Sequence, residues 1–361
     1  MSSRCRLVLV ALAAAFILPA SAQAATKTVV AGPLHPVKGV FGGNSSSDVD
    51  GFSLKTVTIH VGDKVRWKFH GFHTVTFPKK GGKDIPFVIP DPSGAKYAGI
   101  SDAAGSPFWF NGQTRLILNP LGAFPQGGRT YNGRRVTGSG IPQGNGPAKP
   151  YTLKFTRAGT YTYECVIHPG MVAKVRVVSR RHRIPSARHD RRTAAKLFAK
   201  EVREAKRLAK GPRLAKSTVQ GGNDKSPVVQ LRFFPSRIHV PVGGSVRFQV
   251  KSRPEIHSFT FGPAKYVQNL AAAFVTPTPN PAGPPSLVFN GQVAFPSDTP
   301  PAPPPYNGTN HGNGFYNTGI LDGDPRSPQP SATTVKFSKA GTYSYICLIH
   351  PFMRGTVVFG P

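Results

Sequence analysis

The 361-residue chain carries 46 Lys and Arg against 15 Asp and Glu, a formal charge of +31, so its expected partners are anionic: cell-wall polymers, acidic head groups or an acidic protein. Three cysteines in this length exclude a disulfide scaffold, and the length suits two domains of ordinary size. The 39 Gly and 37 Pro suit a loop-rich all-β chain.

The first residues read as a targeting signal. Arg4 and Arg6 make a basic start, Leu7 to Leu18 is apolar, and Ala22-Gln23-Ala24 is a small-x-small cleavage site. The apolar run is shorter than the roughly 20 residues a membrane span needs. Residues 1–24 are therefore expected to leave as a secretory signal peptide, taking Cys5 with them. The mature chain, with no second hydrophobic span, is expected to lack a transmembrane segment. It would be exported: periplasmic, envelope-associated or extracellular. An exported chain without a nucleic-acid motif leaves nucleic acid outside the expected partners.

The expected first domain covers 25–179. Lys27 to Val30 suits an edge strand, and Phe52 to Ile59, Val65 to Phe69 and His73 to Phe77 suit short strands divided by Gly62-Asp63 and Gly71. The expected second domain, 226–361, repeats the grammar with Val228 to Phe233, Ile238 to Val240, Ser245 to Val250 and His257 to Phe261. Each half ends with a strand, a short loop and a strand. Many short strands with turn signals predict an all-β chain of two tandem Greek-key β-sandwiches.

Segment 180–225 is different. Arg180 to Lys216 holds 14 Lys and Arg and three acidic residues, a net of +11. Ala194, Phe198, Val202, Ala205 and Leu208 recur at helical spacing, with Asp190 placed as an N-cap and Gly211-Pro212 as the stop. This predicts a basic, helical linker. Such a helix suits either an anionic surface or acidic partner, or a spacer packing its thin apolar stripe on a domain.

Two long segments, Pro78 to Pro150 and Gly262 to Pro330, interrupt the halves. They share fragments: Phe110-Asn-Gly-Gln113 with Phe289-Asn-Gly-Gln292, Tyr131-Asn-Gly133 with Tyr306-Asn-Gly308, and Ser139-Gly-Ile141 with Thr318-Gly-Ile320. The insertion therefore predates the duplication, and its repeated parts are expected to pack on the sandwiches, as a lid beside the loops or as an extra hairpin. The Pro-rich run Thr276 to Pro305 is expected to be an extended surface excursion.

The chemistry lies in a stretch that occurs twice: Cys165-Val-Ile-His168-Pro-Gly-Met171 and Cys347-Leu-Ile-His350-Pro-Phe-Met353, each after Gly-Thr-Tyr-x-Tyr-x. The three offsets (347 − 165, 350 − 168, 353 − 171) are all 182. One loop thus presents thiolate, imidazole and thioether. Soft sulfur with imidazole selects copper, and a His2Cys set with a weak axial Met is a blue-copper arrangement. Each half also has an upstream His: Phe72-His73-Thr-Val-Thr-Phe77 answers to Ile256-His257-Ser-Phe-Thr-Phe261. His70 is a competitor, but the His-x-x-x-Phe match favours His73. His60 and His239 read as ordinary strand residues, His182 and His189 as linker residues, and His35 and His311 as isolated loop residues.

With those residues in view, the sequence resembles the cupredoxin family, the blue (type 1) copper proteins. Its loop spacing is of the amicyanin type, shorter than the plastocyanin one. The resemblance implies two type 1 copper ions per chain, held by His73, Cys165, His168 and Met171 and by His257, Cys347, His350 and Met353. It implies electron transfer to redox partner proteins, with His168 and His350 as electron ports near the surface, rimmed by Pro169, Gly170, Pro351 and Phe352. The amides of Ile167 and Ile349, where amicyanin has Pro, are expected to donate to the thiolates. Two-domain copper oxidases and nitrite reductases typically place a His beside the Cys and use His-x-His pairs. Here Glu164 and Ile346 precede the cysteines and no His-x-His occurs, so an enzyme is not expected. Copper storage or envelope adhesion is the other alternative, though storage calls for more sulfur ligands per chain.

Overall fold

In the computed structural model, which describes residues 24–142, 147–281, 283–301 and 303–360, period-2 burial along short strands builds two pairs of facing sheets. The leader lies outside the described residues, apart from its last residue. In the first half one sheet runs Thr26–Ala31, Lys64–Phe69, Tyr151–Phe155, Thr130–Tyr131, and the other runs Thr56–His60, Val172–Val178, Gly159–Glu164, Thr76–Phe77, Thr137–Gly138. Trp67 and Phe155 from one face meet Val175 and Tyr163 from the other in a single core. Removing these faces from water is the main stabilising term.

The five-stranded order recurs in the second half, while the four-stranded sheet carries its extra short strand on the opposite edge. Phe233–Phe234, Thr218–Gly221, Ser245–Val250 and Ala332–Lys336 form one sheet, and Arg237–Val240, Arg354–Phe359, Gly341–Ile346, Thr260–Phe261 and Tyr316–Asn317 the other. Phe248, Phe261 and Tyr345 lie in its core. The chain is mostly β, as expected, and is built of β-sandwiches. Thr218–Gly221 lies inside the 180–225 segment yet pairs parallel with Ser245–Val250. Val228–Gln230, expected as part of one strand with Phe233, instead pairs antiparallel with Ser47–Val49 of the first half.

The basic segment does form a helix, Ala187–Leu208. Its N-cap is Ser186, whose hydroxyl accepts from the His189 amide. Asp190 falls in the first turn, where it suits the helix dipole and pairs with Lys27 at 2.6 Å. Ala194, Phe198, Ala205 and Leu208 are buried as their spacing predicts, and Phe198, Ala205 and Leu208 pack with Phe41, Val49 and Val228. The helix thus rests its apolar stripe on residues from both halves, leaving a basic face outward. Among the described residues no helix is long and apolar enough to cross a membrane.

The insertions do more than cover a sheet. Val88–Pro90, Leu116–Leu118, Ser286–Phe289 and Val275–Thr278 form one sheet across the halves, with Val288 opposite Ile117. Phe110 stacks on Phe295 at 5.5 Å within a third core drawn from both insertions. The run from Thr276 is therefore not purely a surface excursion, since two of its stretches pair in this sheet. Two of the three shared fragments are equivalent in space: Ile141 and Ile320 donate their amides to Ala123 and Ala294, and Tyr131 and Tyr306 lie in matching core positions. The third is not. Asn290 caps the short helix Gly291–Ala294, and its counterpart is Asn119, which caps Pro120–Ala123. Asn111 instead closes a bend around Ile100. His311 is not isolated either. It reaches Asp102 of the other insertion at 3.0 Å and Asp298 at 3.4 Å, against the Phe108 ring.

Candidate metal centres

Cys165 and Cys347 each follow a strand that runs antiparallel to the strand beyond the upstream His. Glu164 lies opposite Thr76, and Ile346 opposite Thr260. This pairing carries His73 and His257 to the loops across about 90 residues of sequence. The loops close identically. The Cys165 amide donates to the Met171 carbonyl at 3.0 Å and the Met171 amide to the His168 carbonyl at 3.1 Å; the corresponding bonds in the second half are 3.2 Å and 2.8 Å.

Three side chains converge in each half. His73 Nδ1 lies 3.1 Å from His168 Nδ1, and Cys165 Sγ lies 3.5 Å from the latter. In the second half His257 Nδ1 and His350 Nδ1 are 3.3 Å apart, each 3.8 Å from Cys347 Sγ. In both groups the donor atoms all lie within 4.8 Å of one another. Met171 and Met353 are buried in the same cores as the cysteines, and both cysteines are unpaired. His70 turns away, its Nδ1 2.7 Å from the Pro33 carbonyl.

The sulfur contacts correct one expectation. The amides that donate to the thiolates are those of Thr74 at 3.3 Å and Ser258 at 3.4 Å, the residues after the upstream histidines, not those of Ile167 and Ile349. The same two residues brace the loops: Thr74 Oγ1 accepts from the Val166 amide at 3.0 Å and Ser258 Oγ from the Leu348 amide at 2.9 Å. Nothing in the sequence pattern marked them except their place after each His. Glycines back the upstream imidazoles. A Cβ on Gly71 (φ +109°) or Gly222 (φ +74°) would come within 2.9 Å of the Nε2 of His73 or His257, respectively.

The electrostatics suit a cation. Burial would raise both thiols, but the His168 and His73 imidazoles hold Cys165, and those of His257 and His350 hold Cys347, well below the ordinary range. The thiolate is the form that binds metal. Burial would lower His350, yet Cys347 and Glu255 push it up to about 10, and Asp50, Glu255 and Cys165 likewise raise His168. Two imidazoles and one thiolate, dry and convergent, fit copper by donor chemistry.

Neither loop imidazole points its far edge into open solvent, as an electron port would. His168 Nε2 lies 3.4 Å from Glu255 Oε1, and His350 Nε2 lies 3.3 Å from Glu255 Oε2. For His168 the covering carboxylate comes from the other half, which closes an edge a lone sandwich would expose; for His350 it comes from its own half. Pro169, Gly170, Pro351 and Phe352 do stay exposed as a rim. Glu255 and Asp50, both buried, were not legible as site residues in the sequence.

No family model matches the chain, and no curated protein matches it in sequence. Solved structures similar to parts of it include cupredoxins. A mutant amicyanin in its Cu(I) form is 18% identical over 42% of this chain and 89% of its own, with a TM-score of 0.22. A mutant fern plastocyanin is 18% identical over 39% and 98%, with a TM-score of 0.20. A purple cupredoxin from Nitrosopumilus maritimus is 14% identical over 40% and 99%, with a TM-score of 0.20.

Proposed function

We propose that this is an exported, non-catalytic electron carrier of the cupredoxin type, with two tandem domains, 25–179 and 226–361 together with the strand Thr218–Gly221 that precedes it, around the basic helical segment that begins at 180. Each domain holds one type 1 copper. The observation that supports this reading is the pair of equivalent groups in which two imidazole Nδ1 atoms and one thiolate meet in a buried pocket. His73, Cys165 and His168 would hold one ion with Met171 as the weak fourth ligand, and His257, Cys347 and His350 the other with Met353. Bound copper supplies a one-electron change between Cu(I) and Cu(II).

The chain's own residues do the rest. The thiolates give the strong bond, the amides of Thr74 and Ser258 draw charge from sulfur, and the enclosing cores exclude water. The net charge of +31 favours an acidic redox protein or an anionic envelope surface as partner. Export rests on the leader at residues 1–24.

Visible absorption with metal analysis on one sample tests the reading. An intense thiolate-to-copper band, bleached by reductant, with two copper ions per chain is expected. Half the band should go with His73→Ala and half with His257→Ala. A chain that holds copper yet stays colourless after oxidation would overturn electron transfer in favour of storage or adhesion.

A further inference from the structure

The two centres meet at one side chain. Glu255 stands just before His257 in the second half, its amide donating to Ser252 Oγ at 3.0 Å. It is 5% exposed. One carboxylate oxygen faces His168 of the first half and the other faces His350 of the second, at 3.4 and 3.3 Å. A carboxylate buried this deeply is costly unless it is paired, and the Nε2 atoms nearest it belong to two ligands of two different centres. Asp50, 3.7 Å from His168 Nδ1, completes the cluster, and its amide donates to the Pro227 carbonyl of the other half at 2.7 Å. The cross-half strands Ser47–Val49 and Val228–Gln230 hold these groups in place.

We propose that Glu255 links the two centres into one exchanging pair. It takes both loop imidazoles by their Nε2 sides, keeps both Nδ1 atoms toward the metal, and provides the route for an electron between the halves. This rests on reading both groups as copper sites. An electron passing along His168, Glu255 and His350 leaves one centre oxidised by one charge and the other reduced by one. No bond breaks and no proton leaves, and the outside donor and acceptor remain the redox partners already proposed. Glu255 is a positioning residue, because it acts through the imidazoles and touches no metal.

The test uses the full copper-loaded chain. Cys347→Ser and Cys165→Ser each leave one blue centre. In both backgrounds Glu255→Gln, of nearly the same shape, should raise the reduction potential of the remaining centre, because a negative charge that favours Cu(II) is gone. Its copper affinity should fall about tenfold or more. In the doubly loaded chain, a pulse that adds one electron should be followed by redistribution at a rate independent of protein concentration. Glu255→Leu should slow that phase several-fold while circular dichroism stays unchanged. A shift at one centre only, or an unchanged redistribution rate, overturns the link while leaving both blue sites standing. So does a third metal ion per chain that is lost on Asp50→Asn, since Asp50, His168 and Glu255 would then be its ligands. A wild-type chain without the blue band removes the copper reading itself, a distinguishable result.

Discussion

Glu201 offers a direct check that the basic helix is docked on the protein. It lies on the buried face of Ala187–Leu208 between Phe198 and Ala205 and is only 6% exposed. Burial pushes its carboxyl up to about 7 from 4.5, with Lys55 opposing too weakly to prevent this. A folded-state value above the unfolded one means that the group's contribution is favourable in full below 4.5 and is lost as pH rises to about 7. Above that range, holding the carboxylate buried costs about 3 kcal/mol relative to a neutral side chain of the same shape. Glu201→Gln should therefore stabilise the protein by up to about 3 kcal/mol at neutral to mildly alkaline pH and change little near pH 4. Urea unfolding of both proteins at the two pH values measures the difference, and other titrating groups cancel in it. An equal gain at both pH values, or a loss at the higher one, would refute the argument and place Glu201 in solvent.

Three further outcomes are expected. Thr74→Val and Ser258→Ala each leave a buried loop amide without its hydroxyl acceptor, which should cost about 1–3 kcal/mol in denaturant midpoints. The blue band should persist, because the sulfur-donating amide is main chain. Phe110→Ala empties the centre of the core shared by the insertions and should cost about 3–5 kcal/mol. Calorimetry should then resolve two transitions where one is expected of the wild type, and a single unshifted transition would mean that the insertions do not bind the halves together. Binding to anionic vesicles should fall steeply between low and physiological salt, since the helix spends its apolar stripe on the protein and its charged residues facing outward are mainly Lys and Arg. Salt-insensitive binding would point to inserted apolar residues instead.

What could be read from the sequence was what contiguity or fixed spacing carries. Cys165, His168 and Met171 share one loop with Cys347, His350 and Met353 as their copy, and a seven-residue loop presents its side chains together whatever surrounds it. Short strands and the stripe on Ala187–Leu208 were legible because burial repeats with the backbone period. His73 and His257 were found only because the duplication printed the same pattern twice. Tertiary structure alone decided the rest. Ser186 capped the helix instead of Asp190 because capping depends on where the backbone enters the helix, which is one turn earlier than the apolar stripe indicates. The true partner of Asn290 was Asn119, not Asn111, because a four-residue match carries no information on register. Thr74 and Ser258 reached the sulfurs because the upstream strand lies beside the loop. Glu255 came between His168 and His350 because two halves far apart in sequence pack face to face, and no local pattern encodes which carboxylate a distant surface will bury.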